Sequence, residues 1–171
     1  MMGFSGKIRL KVKKNDNSLS FEFKKSDDGN IVNFTDATGS VTILGEIKID
    51  NLSKLRQDFD GHKLKPEELI SMLYIDEGEN FVSHLEGEYA FCLIDKKKSI
   101  VRLYRDKYGI IPLFFAYESN AVLFSTHIGV LEKELKFISI NKKSVVRYLN
   151  IQEQENEETF FNEINRILPN E

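Results

Sequence analysis

Residues 88–95, Glu-Tyr-Ala-Phe-Cys-Leu-Ile-Asp, carry apolar side chains on both alternating faces of one extended stretch. Successive side chains of a strand point to opposite sides, so Tyr89, Phe91 and Leu93 need cover from one side and Ala90, Cys92 and Ile94 from the other. A strand covered twice belongs in the interior of a layered fold. The rest of the chain offers partners for it. Residues 7–13 alternate charged and apolar without a break, placing Ile8, Leu10 and Val12 on one strand face. Leu19, Phe21 and Phe23 repeat the pattern after Asn15-Asp16-Asn17, which predicts a hairpin. Another turn is expected over residues 26–30, followed by strands over 31–34 and 41–47. Residues 100–104 run back from 88–95 across a turn at 96–99, and 113–117 pairs with 121–125 across Glu118-Ser119-Asn120.

Helices punctuate these strands. Leu52, Leu55 and Phe59 have helical spacing, with Asn51 or Asp50 as cap and Gly61 as stop. Pro66 suits a first helical position, where its missing N–H costs nothing, and Leu69, Ile70 and Leu73 form the buried stripe behind it. Phe81, Val82 and Leu85 predict a short helix ending at Gly87. Residues 144–149 and 159–167 read as helical, with residues 152–158 as an exposed acidic loop between them. Strand blocks with hairpin-length links, and helices segregated beside them, give an α+β class. Two sheets sandwiched between helical layers account for a strand that is apolar on both faces.

The chain has 171 residues with 41% apolar and 30% charged side chains, which suits one globular domain spanning residues 1–171. Its formal charge is 24 − 27 = −3, which argues against a nucleic-acid partner. The longest apolar stretch, residues 109–117, is broken by Pro112 and is far short of the roughly 20 residues of a membrane helix. No apolar secretory segment is read at the front, where Lys7, Arg9, Lys11, Lys13 and Lys14 crowd together. A single cysteine makes no internal disulfide, so a cytoplasmic location is expected.

Three stretches together carry a family resemblance. Leu85-Glu86-Gly87-Glu88-Tyr89-Ala90-Phe91 is followed by Arg105-Asp106-Lys107-Tyr108-Gly109-Ile110-Ile111-Pro112-Leu113, and then by Leu123-Phe124-Ser125-Thr126-His127. In this order they resemble the glutamine amidotransferase domain at the front of asparagine synthetases, over residues 85–131 most specifically. Residues 160–169 resemble that family's exit toward its linker. The resemblance implies a class II, N-terminal-nucleophile fold: a four-layer α/β/β/α sandwich of antiparallel sheets. It implies glutamine hydrolysis by a cysteine exposed as the mature first residue, whose own α-amino group is the base, with the released ammonia used by an ATP-dependent synthetase domain.

Position by position, most of the family's site residues are missing, and of its oxyanion segment only Gly45 and Glu46 match. The front reads Met1-Met2-Gly3-Phe4-Ser5-Gly6 against a family pattern Met-Cys-Gly-Ile-x-Gly, so Met2 stands where the nucleophile belongs. A thioether has no ionisable proton, and a large second residue implies retention of Met1. The family's Asn-Gly-Glu oxyanion segment reads Leu44-Gly45-Glu46, without the side-chain donor. Pro66 occupies the place of the aspartate that holds the substrate amino group. The loop that holds the substrate carboxylate has no counterpart between Gly6 and Gly45. Met2, Leu44, Gly45, Glu46 and Pro66 are therefore read as a vestigial glutamine pocket.

Other candidates fare no better. Cys92 lies in the doubly apolar strand, where a thiol behaves as a small hydrophobe with a raised pKa. Ser5 has no acidic or imidazole neighbour in sequence. His62, His84 and His127 lack metal-ligand spacing, and neither a metal nor a cofactor is expected. Arg105, Asp106, Gly109 and Pro112 read as a tight hydrogen-bonded turn, or alternatively as a face toward a synthetase. No Ser-Gly-Gly-x-Asp-Ser loop occurs, so an ATP-dependent half is expected on another domain or chain. The resemblance thus implies a catalytically silent amidotransferase-like domain that partners an asparagine synthetase-like or lasso-peptide macrolactam synthetase. The alternatives are an active glutaminase with an unconventional nucleophile and a module that senses an amino acid or nucleotide.

Overall fold

The structure, a computed structural model, describes residues 4–13, 16–25, 31–59, 63–118, 121–152 and 156–170. The elements in order are β1 (Phe4–Lys13), β2 (Asp16–Lys25), β3 (Ile31–Thr35), β4 (Val41–Ile49), α1 (Leu52–Asp58), α2 (Pro66–Glu77), a 3₁₀ turn (Gly78–His84), β5 (Gly87–Asp95), β6 (Ile100–Arg105), β7 (Phe114–Glu118), β8 (Ala121–Ser125), α3 (Ile128–Glu134), α4 (Lys142–Ile151) and β9 (Ile164–Arg166). Among the described residues the strands form two antiparallel sheets, β2-β1-β8-β7-β9 and β3-β4-β5-β6. The predicted hairpin forms: Ile8 pairs in register with Phe21, and Leu10 with Leu19.

β5 explains the architecture. Tyr89, Phe91 and Leu93 pack with Leu69, Ile70, Leu73 and Tyr74 of α2, Leu55 of α1 and Phe81. Ala90, Cys92 and Ile94 face the other way, meeting Leu44, Leu113 and Phe124 between the two sheets. A third cluster joins Leu131 of α3 to Ala116, Leu123 and Ile164 on the far side of the five-stranded sheet. The fold is the expected α+β sandwich of four layers, with the inter-sheet core at its centre. Full burial of one Leu or Phe side chain in such a core contributes about 1.5–3 kcal/mol relative to exposure.

Local chemistry sets several boundaries. Pro66 opens α2 as expected, and the Lys65 N–H donates to Glu68 Oε2 at 2.7 Å. Asn51 stands at the start of α1 but does not cap it with its side chain. Its amide instead donates to the His84 carbonyl at 2.8 Å, and its oxygen accepts from the Glu86 N–H at 3.1 Å. The helix predicted around Phe81 is a 3₁₀ turn that ends at His84, and Gly87 begins β5 rather than closing that helix. The predicted helix over residues 159–167 does not form. Ile164–Arg166 pairs with β7 instead, the Thr159 hydroxyl donates to the Ile164 carbonyl at 2.7 Å, and the Glu163 carboxylate binds the Ser139 N–H and hydroxyl. Side-chain bonds to nearby backbone compete with helix formation, and here strand pairing completes the competition.

Helix α3 was not expected from the sequence pattern. The turn at residues 26–30, Gly61, His62, the Ser119-Asn120 link and residues 153–155 lie outside the described residues.

Candidate functional site

Leu44, Gly45 and Glu46 sit consecutively on β4, between β3 and β5. Alternation sends Leu44 and Glu46 toward the second sheet. Leu44 has 0% exposure and is enclosed by Ala90, Cys92, Ile94, Leu113 and Phe124. Every one of those neighbours presents apolar or thiol surface, so this position offers no hydrogen bond to a developing oxyanion. Glu46 is half-buried on the same face, opposite Ala90. Pro66, by contrast, belongs to the helical layer on the other side of this sheet, so the structure keeps the three β4 positions together and sets Pro66 apart from them. Met2 lies outside the described residues. Ser5 is placed by its backbone in β1, opposite Ser125 of β8.

Gly45 is required by close packing. A Cβ added there would lie 2.3 Å from the Ala90 carbonyl oxygen and 2.5 Å from the Phe91 Cα, both backbone atoms of the central strand. Overpacking of this kind costs typically about 1–3 kcal/mol, and a backbone clash belongs at the upper end. Gly45→Ala is therefore expected to lower the melting temperature by roughly 4–12 °C in a thermal melt followed by circular dichroism.

The chain's one cysteine, Cys92, is fully enclosed, and burial pushes its thiol pKa well above the usual range. It is a packed, protonated side chain, not a nucleophile. His84 bonds the Glu77 carboxylate at 2.6 Å and packs edge-on against Phe59, while the His127 ring meets the Thr126 hydroxyl at 3.0 Å. Both imidazoles thus have structural partners.

The turn at residues 105–112 is dense with hydrogen bonds. The Arg105 guanidinium donates to the carbonyls of Ile111 and Ile167 at 2.8 Å each and of Gly109 at 2.5 Å. Burial lowers its pKa while the charge of Asp106 raises it, and a guanidinium remains charged at neutral pH after such a shift. The Asp106 carboxylate accepts from the N–H groups of Tyr108, Ile110 and Ile111 at 3.0–3.2 Å. Gly109 has φ +62°, the left-handed region that glycine reaches without Cβ strain. Pro112, exposed, leads out of the turn toward β7. The sequence did not reveal what the turn also does: it binds the segment at 167–170, through Arg105 to Ile167 and through the Asp106 carbonyl, which accepts from the Asn170 N–H at 3.1 Å.

Sequence reasoning also missed two surface features. A cleft of about 450 Å³ beside this turn is lined by Asp50, Glu86, Glu88, Lys107, Tyr108 and Ile110. A second, of about 590 Å³, lies between β3 and α2. The apolar residues of α2 outside its buried stripe, Met72 and Ile75, were the available signal for the second.

Comparison with known proteins accords with this architecture. The profile of the glutamine amidotransferase domain family matches residues 29–171, so the match begins beyond Met2. The asparagine synthetase [glutamine-hydrolyzing] 2 of Bacillus subtilis (strain 168) is 29% identical over 123 residues, covering 68% of this chain and 16% of that protein. The putative asparagine synthetase [glutamine-hydrolyzing] 2 of Methanocaldococcus jannaschii is 37% identical over 84 residues, covering 47% of this chain and 16% of that protein. This chain therefore spans about a sixth of the length of these relatives. Among solved structures, the glutamine phosphoribosylpyrophosphate amidotransferase of B. subtilis superposes with a TM-score of 0.52 at 13% identity, over 77% of this chain and 37% of that one, which shows a shared fold. The chain belongs to the glutamine amidotransferase domain family, of the type found in asparagine synthetases.

Proposed function

We propose that this domain is a catalytically silent amidotransferase-like domain, retained as a structural or interaction partner of a cytoplasmic, ATP-dependent amide-forming synthetase. The observation that carries this reading is Leu44. Where the family places an asparagine amide toward the oxyanion, a leucine with 0% exposure completes the inter-sheet core. An oxyanion hole works through donors preorganised at the site of developing charge, and removal of one donor costs about two to three orders of magnitude in rate. Met2 in the nucleophile position and Pro66 in place of an aspartate add to the same account, as does a cysteine that is protonated and enclosed. Leu44, Gly45, Glu46, Pro66 and Met2 are the remnant of a glutamine pocket in this reading.

The partner role draws on the surface. Phe137, Ile140, Val146, Leu149 and Ile151 are all exposed, Leu149 by 76%. Val146 and Leu149 lie one turn apart on α4, and exposed apolar side chains side by side on a helix face offer a partner protein a place to pack. Relatives about six times as long as the matched segment, named as asparagine synthetases, support an asparagine synthetase-like partner on the same or a separate chain, with a macrolactam-forming synthetase as the other amide-forming candidate. Among the described residues no helix is long and apolar enough to cross a membrane.

Incubation of the purified chain with glutamine is expected to release no glutamate above the uncatalysed rate. Turnover that survives Cys92→Ala and Ser5→Ala would overturn the silent assignment and favour an unconventional nucleophile. Co-expression with a neighbouring synthetase is expected to give a stable complex that Leu149→Glu weakens. Absence of a complex, with partner activity unchanged when this chain is omitted, removes the partner role.

A further inference from the structure

We propose that the cleft between β3 and α2 receives an extended segment of a partner protein, in which apolar residues alternate with Lys or Arg, as a strand added beside β3. The cleft lies on the helical side of the four-stranded sheet, across it from Leu44 and Glu46, although Pro66 at the start of α2 shares that side; the proposal does not depend on which enzyme the domain serves.

Three independent observations converge. First, β3 is the edge of its sheet, and among the described residues only β4 pairs with it. Alternate residues of an edge strand leave their N–H and C=O groups facing outward, a ready template for another strand. Second, the space between that edge and α2 is a cleft of about 590 Å³ with an apolar floor of Phe34, Leu64, Met72 and Ile75. Leu69, Ile70 and Leu73 already fill the helix–sheet core, so Met72 and the 57%-exposed Ile75 are apolar residues left over from it. A groove between an edge strand and a helix is the geometry by which a sheet captures peptides: main-chain bonds hold the guest strand and every second side chain enters the groove. Third, the rim is acidic. Asp36, Glu68 and Asp76 line the cleft, no Lys or Arg does among the described residues, and α2 itself carries Glu67, Glu68, Asp76 and Glu77 without one basic residue. Asp36 keeps its charge: burial raises its pKa, but hydrogen bonds from the Thr38 hydroxyl and the Val41 N–H hold it below the ordinary value.

The charge selects the occupant. A guest strand with alternating side chains would send its apolar residues onto Phe34, Met72 and Ile75, while its basic ones, leaving from the opposite face, would meet the acidic rim through its field and not through paired contacts. Two copies of this chain paired through their β3 edges would instead bring two acidic rims together, which complementarity disfavours.

The test is fluorescence anisotropy with a labelled Lys-Leu-Lys-Val-Lys-Leu-Lys peptide and a control in which Glu replaces every Lys. The basic peptide is expected to bind saturably in the micromolar range, at least about tenfold tighter than the acidic control, and to weaken with added salt. Asp76→Lys combined with Ile75→Arg, both at exposed positions, is expected to weaken it at least about tenfold while leaving the melting temperature within about 2 °C. Hydrogen exchange is expected to slow at residues 31–35 on binding. Equal binding of the acidic peptide, full affinity in the double variant, protection confined to other residues, or no saturation up to about 1 mM each overturns the proposal.

Discussion

Leu44→Asn, which restores the family's residue type at the oxyanion position, is expected to destabilise the domain by about 3–5 kcal/mol and to confer no glutaminase activity. The substitution removes a fully enclosed leucine from its contacts with Ala90, Cys92, Ile94, Leu113 and Phe124. It also delivers an amide with two donors and an acceptor into surroundings with only a weak thiol to answer them. Lost apolar packing and an unpaired polar group act in the same direction. At about 2–4 °C per kcal/mol for a chain of this size, the melting temperature should fall by roughly 6–20 °C. Urea unfolding checks it: the midpoint should drop with an unchanged slope. A variant as stable as the parent would mean that residue 44 faces a hydrated pocket, and the silent reading would lose its main support.

The same residue shows how much of this protein was legible in advance. The two-sided apolar pattern of residues 88–95 called for cover on both faces of β5, which the helical layer supplies on one side and the second sheet on the other. Pro66, Leu69, Ile70 and Leu73 specified α2 and its buried stripe by local rules, and Gly109 specified the turn by its positive φ. Helix α3 was not legible. It has seven residues with Gly129 near its start, and it forms because Leu131 finds Ala116, Leu123 and Ile164, contacts distant in sequence. The helix expected over residues 159–167 failed for the converse reason, since an open edge of β7 outweighed a local pattern. Periodicity also says which residues are apolar but not what covers them. Val146 and Leu149 fit a helical stripe, yet that stripe faces outward in this chain, while Ser144 is the buried residue of α4.

The second large effect concerns Asp106. Its carboxylate is completely buried and accepts hydrogen bonds from three backbone N–H groups, those of Tyr108, Ile110 and Ile111. Its own N–H donates to the Tyr89 carbonyl at 2.9 Å, and its carbonyl receives the N–H groups of Gly109 and Asn170. The backbone bonds survive a side-chain change, whereas the three carboxylate bonds do not. Asp106→Ala would leave three donors unanswered in a tight turn and Arg105 beside them without its neighbouring negative charge. Each unpaired buried group costs about 1–3 kcal/mol, although water admitted to the turn recovers part of that, so a net loss of about 3–5 kcal/mol is expected. That is a large share of the 5–15 kcal/mol that ordinarily separates folded from unfolded domains. Because this turn also holds residues 167–170, the loss should be visible locally before global unfolding, as faster hydrogen exchange at 108–111 and 167–170. Asp106→Asn separates charge from shape: it keeps one acceptor oxygen and should retain part of the stability. If the alanine variant melted within about 2 °C of the parent, the carboxylate would be no more than an exposed decoration of the turn, contrary to its three hydrogen bonds and full burial.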